Sequence, residues 1–401
     1  MTPPLHILFV CNKPPYPAKE GGSIAMNQLI EGLIHTGNRV KVITAYSDKY
    51  PVREKDIPES YKKKTGIEFV HLDLSIKPVE VLQNLFSNKS YHVQRFISDD
   101  FERKLVNILK STPFDIVQIE TLFMAPYVPV IRKHSRAKII LRAHNIEHLI
   151  WKRIAQSSKR PCKKFVLHHF ARTLENYEKT VVSQFDGILP ITRHDADFFK
   201  QHTRQPVKAI PFGIDPAQYS TGTKYSPENA VFHIGAMNWM PNEEGIRWFL
   251  KKVWPLVIHK NPQIKVYLAG RFMPRWLRET QIKNVVITGE VADAREFIRS
   301  KTIAIAPLFS GSGIRIKIIE SMGLGKAVVA TTTGAEGIDY THGKNMLIAN
   351  TAETFADALI ELYENPEKAS EIGKNARELV LSQHHHQKII RSLETFYQEI
   401  L

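Results

Sequence analysis

The ten residues Gly311-Ser312-Gly313-Ile314-Arg315-Ile316-Lys317-Ile318-Ile319-Glu320 bring together three kinds of chemistry. The glycine-serine-glycine turn carries no bulky side chain, so the backbone N–H groups of Gly311, Ser312, Gly313 and Ile314 can face an anion. A helical pattern follows, and the start of a helix favours negative charge through its unsatisfied N–H groups and its dipole. Arg315 and Lys317 add two cations, and Glu320 adds a carboxylate. Amides and cations suit phosphates, and a carboxylate suits sugar hydroxyls, so the segment suits a nucleotide diphosphate. A glutamate on a helix is ordinarily solvated. The anion-binding turn ahead of Glu320 favours its reading as a ribose ligand.

A second polar cluster, Arg142-Ala143-His144-Asn145-Ile146-Glu147, follows the strand-like run Lys138 to Leu141. A lone histidine is more often a satisfied structural residue. At the carboxyl end of a parallel strand, among other polar groups, His144 and Asn145 become candidates for catalysis, because a histidine can donate to a sugar hydroxyl or to a polarised carbonyl. Glu147 reads either as a contact to an acceptor or as a cap on the next helix. Glu120, after the strand Ile116 to Ile119, is a further candidate for acceptor binding. Gly21 and Gly22, in the first loop, make either a tight turn or a close backbone approach to a donor phosphate. No G-x-G-x-x-G follows the first strand, which excludes the dinucleotide fingerprint.

The elements around these residues alternate. Leu5 to Cys11 is an apolar strand, and the next loop is punctuated by Pro14, Pro15, Pro17, Gly21 and Gly22. Ser23 is the expected N-cap of a helix that presents Met26, Leu29, Ile30, Leu33 and Ile34 on one face. Gly37 ends it, and Arg39 to Ala45 is the second strand. Strand, loop, helix, strand is the pattern of a parallel α/β unit. Further strands are expected at 69–72, 116–119, 138–141 and 187–190. The rhythm restarts at Ala230, with strands at 231–235, 265–270, 285–288, 303–306 and 327–330 and a helix over Asn242 to Val257. Pro211 to Pro216 holds two prolines and a glycine in six residues and reads as a linker. The expectation is two Rossmann-like parallel α/β domains, 1–214 and 215–385, with a last helix, 386–401, packing back on the first.

Composition bounds the partners. A chain of 401 residues exceeds one ordinary core. Without a run of about 20 apolar residues no transmembrane helix is expected. The N-terminus lacks the basic region of a signal peptide, and two cysteines are too few for a disulfide framework, so a cytoplasmic setting is expected. The net charge of +15 favours anionic partners. It concentrates in Trp151 to Arg172, which has no acidic residue between Glu147 and Glu175. That stretch is either a solvated helix face or a contact for an anionic membrane surface or a pyrophosphate-linked lipid. No nucleic-acid motif accompanies it, and nucleic acid is not expected as a partner.

Several segments in order resemble the GT-B glycosyltransferases of the family-4 retaining type: ILFVCNKPPYPAKEGG from Ile7, RAHNIEHLIWKR from Arg142, IPFGIDP from Ile210, HIGAMNWMPNEEGIRWF from His233, the 303–331 unit, and TTTGAEGI from Thr331. The resemblance implies two domains facing across a cleft, the first for the acceptor and the second for a nucleotide-sugar donor. It matches Glu320 to the family's ribose-binding second glutamate and puts the first glutamate at Ser312, where this chain departs. The usual arginine and lysine of the first donor-domain loop are also missing from Gly235 to Trp239, leaving Arg271, Arg315 and Lys317 as substitutes. Val291 is expected at the base pocket and Gly235 at the donor.

The resemblance further implies sugar transfer from a nucleoside-diphosphate sugar to a hydroxyl of a lipid-linked or saccharide acceptor, with retention, in cell-surface polysaccharide or glycolipid synthesis. No metal or other cofactor is expected, and the enzyme would be cytoplasmic, peripheral at the membrane. A sugar-nucleotide epimerase of the same architecture and a non-catalytic nucleotide-sugar binder are the alternatives.

Overall fold

The computed structural model describes residues 3–18, 20–48, 51–52, 54–158, 160–220, 226–311 and 313–401. The chain divides into two units, Met1–Phe212 with Gln387–Leu401, and Gly213–His386.

The first unit is built on six parallel strands: β1 (His6–Cys11), β2 (Arg39–Tyr46), β3 (Glu68–His71), β4 (Ile116–Glu120), β5 (Lys138–Ala143) and β6 (Gly187–Pro190), in the order β3-β2-β1-β4-β5-β6. The central strands are nearly continuous apolar runs because helices cover both faces, leaving no solvated side to alternate towards. One face packs on the helix Gly21–His35 and on the C-terminal helix His386–Ile400, whose Ile389, Ile390, Leu393, Phe396 and Tyr397 sit among Ile7, Phe9, Ile116 and Ile140. Asn38 donates to Glu394 at 2.7 Å and pins the middle of that last helix.

The helix Gly21–His35 starts three residues earlier than its sequence suggests. Glu20 is its N-cap, and Ser23 lies inside the first turn, buried, with its hydroxyl donating to the Pro14 carbonyl at 2.8 Å. The serine therefore fastens the proline-rich loop to the helix.

The second unit repeats the plan with β7 (Glu228–Ile234), β8 (Val266–Ala269), β9 (Val285–Gly289), β10 (Lys301–Ala306), β11 (Ala327–Ala330) and β12 (Leu347–Ile348), parallel and in the order β12-β11-β10-β7-β8-β9. Two-residue β12 carries too little pattern to be read from sequence. The helix expected over Asn242 to Val257 runs as Met240–Trp248, a π-helical turn Phe249–Val253, and Trp254–Lys260. Pro255, inside the second half, cannot donate a ladder hydrogen bond, and the wider turn lies just ahead of it.

Both sheets share one consequence. Strand order reverses between β1 and β4 in the first unit and between β7 and β10 in the second. At such a switch point the connections leave the carboxyl ends in opposite directions and open a crevice for ligands.

Candidate functional site

In the first unit the switch point gathers residues far apart in sequence. Glu120 ends β4, fully buried, and its Oε2 lies 2.5 Å from His144 Nε2, just beyond β5. Its Oε1 accepts from Gln118 Nε2 at 2.5 Å, and Gln118 Oε1 accepts from the Tyr397 hydroxyl on the C-terminal helix. The tyrosine fixes which end of the Gln118 amide faces the carboxylate. The carboxylate in turn engages Nε2 of His144, which leaves Nδ1 as the ring nitrogen not held by Glu120. Beside them Arg142 is buried and donates to the carbonyls of Leu189 at 3.1 Å and Pro190 at 3.2 Å. Burial lowers its guanidinium to about 10, against the opposing pull of Glu120. Thr121, next in the chain, has φ 74°, a strained conformation for a β-branched residue, next to the buried carboxylate.

Burial bears on two expectations. Glu120 is fully buried, with its oxygens engaged inside the unit by His144 and Gln118. Glu147 is also buried, and its Oε1 accepts from Asn145 Nδ2 at 3.1 Å. Burial pushes the Glu147 carboxyl up to about 8, although the Asn145 hydrogen bond pulls the other way. Nor does Glu147 cap its helix, Glu147–Ser157: Glu178 does, accepting from the N–H groups of Glu147 at 3.0 Å and His148 at 3.2 Å and pairing with His148 Nδ1 at 2.6 Å. Asn145 is thereby tied to Glu147 rather than to His144.

Gly21 and Gly22 are the first two residues of a helix, with its N–H groups at the carboxyl end of β1. A Cβ on Gly22 would stand 2.8 Å from Cε and Nζ of Lys13 and 3.9 Å from Nδ1 of His144. Lys13 therefore lies across the helix start, with Nζ 3.7 Å from Glu20 Oε2. Sequence reading passed over Lys13; the available signal was a cation in the loop between the first strand and a glycine-led helix.

In the second unit the backbones at the ends of β7 and β8 nearly touch. Gly270 has φ 143°, and a Cβ there would stand 1.9 Å from the Gly235 carbonyl oxygen. Asn242 spans the loop after β7, donating from Nδ2 to the Ala236 carbonyl at 2.8 Å and accepting from Lys317 Nζ at 2.6 Å. Burial, with Arg315 nearby, pushes the Lys317 ammonium well below its ordinary value.

Gly311 and Gly313 take φ of 101° and 78°, left-handed conformations that glycine adopts freely; Ser312 lies outside the described residues. Ile314 leads into Arg315, the N-cap of the helix Ile316–Gly323. The Arg315 guanidinium is buried and turned back on its own turn, donating to the Gly313 carbonyl at 2.5 Å and to the Thr333 carbonyl at 3.4 Å, with Glu336 at 3.9 Å. Both cations thus shape the loop around the helix start.

Glu320 is on that helix, and its Oε1 accepts from the Tyr219 hydroxyl at 2.8 Å. Burial raises the carboxyl above its ordinary value. Tyr219 closes the 3-10 turn Pro216–Tyr219 after the linker and was not anticipated. At the end of β9, Glu290 pairs with Arg271, Nε to Oε1 3.4 Å, and half-buried Val291 follows. Among the described residues no group of His, Cys, Asp and Glu is arranged to hold a metal ion. No described helix is long and apolar enough to cross a membrane.

Two Rossmann-like units, each with polar residues at its switch point, define the GT-B fold of glycosyltransferases. Residues 228–365 match the family model for glycosyl transferases group 1. Among curated proteins the chain is similar to an uncharacterized 44.6 kDa protein in the cps region of Klebsiella pneumoniae, 26% identical, covering 96% of this chain and 98% of that one. Among solved structures it is similar to sucrose-phosphate synthase from Thermosynechococcus elongatus, at TM-score 0.71 and 15% identity over 98% of this chain and 99% of that one. It is also similar to Anabaena HepE in complex with UDP and glucose, at TM-score 0.67 and 15% identity over 98% and 99%.

Proposed function

We propose that the protein transfers a sugar from a nucleoside-diphosphate sugar to an acceptor hydroxyl with retention, holding the donor on the second unit and the acceptor on the first. One observation carries this reading: a glycine turn at the end of β10 feeds a helix on which Glu320 is held by Tyr219, within the segment that matches the glycosyl transferases group 1 model. The helix start and backbone N–H groups would meet the diphosphate, helped by Arg315, Lys317 and Arg271, and Glu320 would take the ribose. Negative charge growing on the leaving diphosphate is then stabilised by fixed dipoles and cations, which leaves no step that requires a divalent metal. His144, held through Nε2 by Glu120, would orient the acceptor hydroxyl through Nδ1. The UDP seen in HepE and the cps-region setting of the Klebsiella relative support a nucleotide-sugar donor and a cell-surface polysaccharide or glycolipid product. The exposed cations Lys152, Arg160, Lys163, Lys164 and Arg172 support work at an anionic membrane surface on a lipid-linked or saccharide acceptor, with the enzyme cytoplasmic.

A thermal-shift screen of nucleoside diphosphates and their sugars tests the donor, since a ligand that binds only the folded state raises its apparent stability. Mass spectrometry of donor and acceptor mixtures then tests transfer. Donor converted to another sugar nucleotide without acceptor would make the protein an epimerase; binding without turnover would make it a non-catalytic binder.

A further inference from the structure

Among the large apolar side chains of the first unit that face solvent are Ile76 (70% exposed), Val79 (67%), Leu82 (60%), Phe86 (89%) and Phe165 (69%). Val79, Leu82 and Phe86 recur every three or four residues along the short helix Pro78–Asn84 and its αR end, so they share one side of it, with Ile76 just ahead of its start. A seven-residue helix is too short to persist alone in water. This one is fastened at its end to the helix Pro161–Val181, where the Asn84 carbonyl accepts from His169 Nε2 at 2.9 Å. Just beyond, Tyr91 stacks on Phe170 with ring centroids 5.3 Å apart. Phe165 lies four residues before His169 on that helix and hence on the same side, one turn earlier. Contacts thus hold the helix in place while its apolar residues point outward, and exposed apolar surface gathered in one place marks an interaction site.

The charge around it narrows the occupant. Arg160, Lys163 and Lys164 are exposed at the start of the long helix beside Phe165, in the stretch without an acidic residue. The acidic groups near the short helix, Asp73 and Glu80, both pair with Lys77, at 3.2 and 3.5 Å. A second copy of this surface would bring like charges together. Apolar side chains rimmed by cations match the boundary between anionic head groups and acyl chains, which amphipathic helices enter by about 5–10 Å.

We propose that the helix Pro78–Asn84 with Phe86, together with the first turns of the helix Pro161–Val181, is one docking surface for an anionic lipid bilayer. The apolar side chains enter the acyl boundary, and Arg160, Lys163 and Lys164 meet the head groups. The proposal rests on the reading that the acceptor is membrane-borne, but vesicle binding is measured without donor or acceptor, so its failure leaves sugar transfer standing.

Cys162 is exposed on this surface and Cys11 is buried, so an environment-sensitive fluorophore on Cys162 reports the surface alone. Vesicles of phosphatidylcholine with about 30 mol% phosphatidylglycerol should shift its emission to the blue and carry the full chain down in co-sedimentation, whereas pure phosphatidylcholine should do so at least tenfold more weakly. The exposed substitutions Leu82→Ser with Phe86→Ser should lower partition by about tenfold or more and abolish the emission shift. Lys163→Glu with Lys164→Glu should lower it by about tenfold and flatten its salt dependence. No binding to anionic vesicles overturns the proposal, and so does equal binding of the apolar double variant. A concentration-dependent dimer in sedimentation velocity that Phe86→Ser abolishes would assign the surface to a second copy and overturn it equally.

Discussion

Replacing Glu320 by alanine is the most direct perturbation of the donor assignment. The carboxylate is buried, with Tyr219 donating to Oε1 at 2.8 Å, so the tyrosine orients it and limits the positions open to a ligand. A hydrogen bond to a charged group contributes about 1.5–3 kcal/mol. With Oε1 partly taken by Tyr219, a ribose diol gains one full bond and a share of a second, about 2–4 kcal/mol in all by that measure. At about 1.4 kcal/mol per tenfold, the dissociation constant of the best nucleoside diphosphate should rise about 30- to 1,000-fold in Glu320→Ala. Isothermal titration calorimetry measures it, with circular dichroism confirming the fold. Glu320→Gln retains a partner for Tyr219 and loses the charge, so it should fall between, near tenfold. Tyr219→Phe should stay within about threefold, because the carboxylate survives. An affinity within threefold of the unsubstituted protein in Glu320→Ala, with the fold intact, would refute the ribose assignment.

The buried Lys317 amine should gain a proton when a diphosphate binds, so calorimetry in buffers of different ionisation heat should show proton uptake, and affinity should fall as pH rises; Lys317→Ala with Arg315→Ala should weaken binding at least tenfold. Unchanged affinity in that double variant would remove both cations from the donor site. The Glu147 carboxyl is raised from 4.5 to about 8, so the native state holds the extra proton and stability falls as pH rises from about 4.5 to 8. Glu147→Gln should therefore match the native chain at pH 5 and exceed it by about 2 kcal/mol at pH 8, less than half of the ideal linkage value because coupled carboxylates and relaxation share the shift; calorimetry of the first unit reads this. Glu120→Gln should lower kcat for transfer about 10- to 100-fold with donor KM within threefold, and Tyr397→Phe should do the same more mildly, while equal loss in KM would mark a structural role. Gly270→Ala would drive a Cβ into the Gly235 carbonyl and should lower the melting transition of the second unit by several degrees, about 3 kcal/mol of strain.

Much of the fold was legible because buried parallel strands are compact apolar runs between turns. β1, β4, β10 and β11 read plainly for that reason, and β12 did not, because two residues cannot show a period. Ser23 misled because its hydroxyl is as good a cap as any, and only the path of the proline-rich loop turns it towards Pro14. The glycine turn and Glu320 were visible as a local pattern, since a turn feeding a helix needs only consecutive residues. Glu120 was legible as a residue but its partner was not, because that partner is set by strand order.

Sequence alone determined the period of its strands, the glycines at its turns and the excess of cations, since each is a property of neighbours along the chain. Tertiary structure decided what those residues touch. Parallel pairing of β4 with β5 brings Glu120 to His144. The C-terminal helix lays Tyr397 against Gln118, 279 positions away. The turn after the linker sets Tyr219 on Glu320. Contacts of that range are fixed by the burial of whole faces, and no local spacing encodes them.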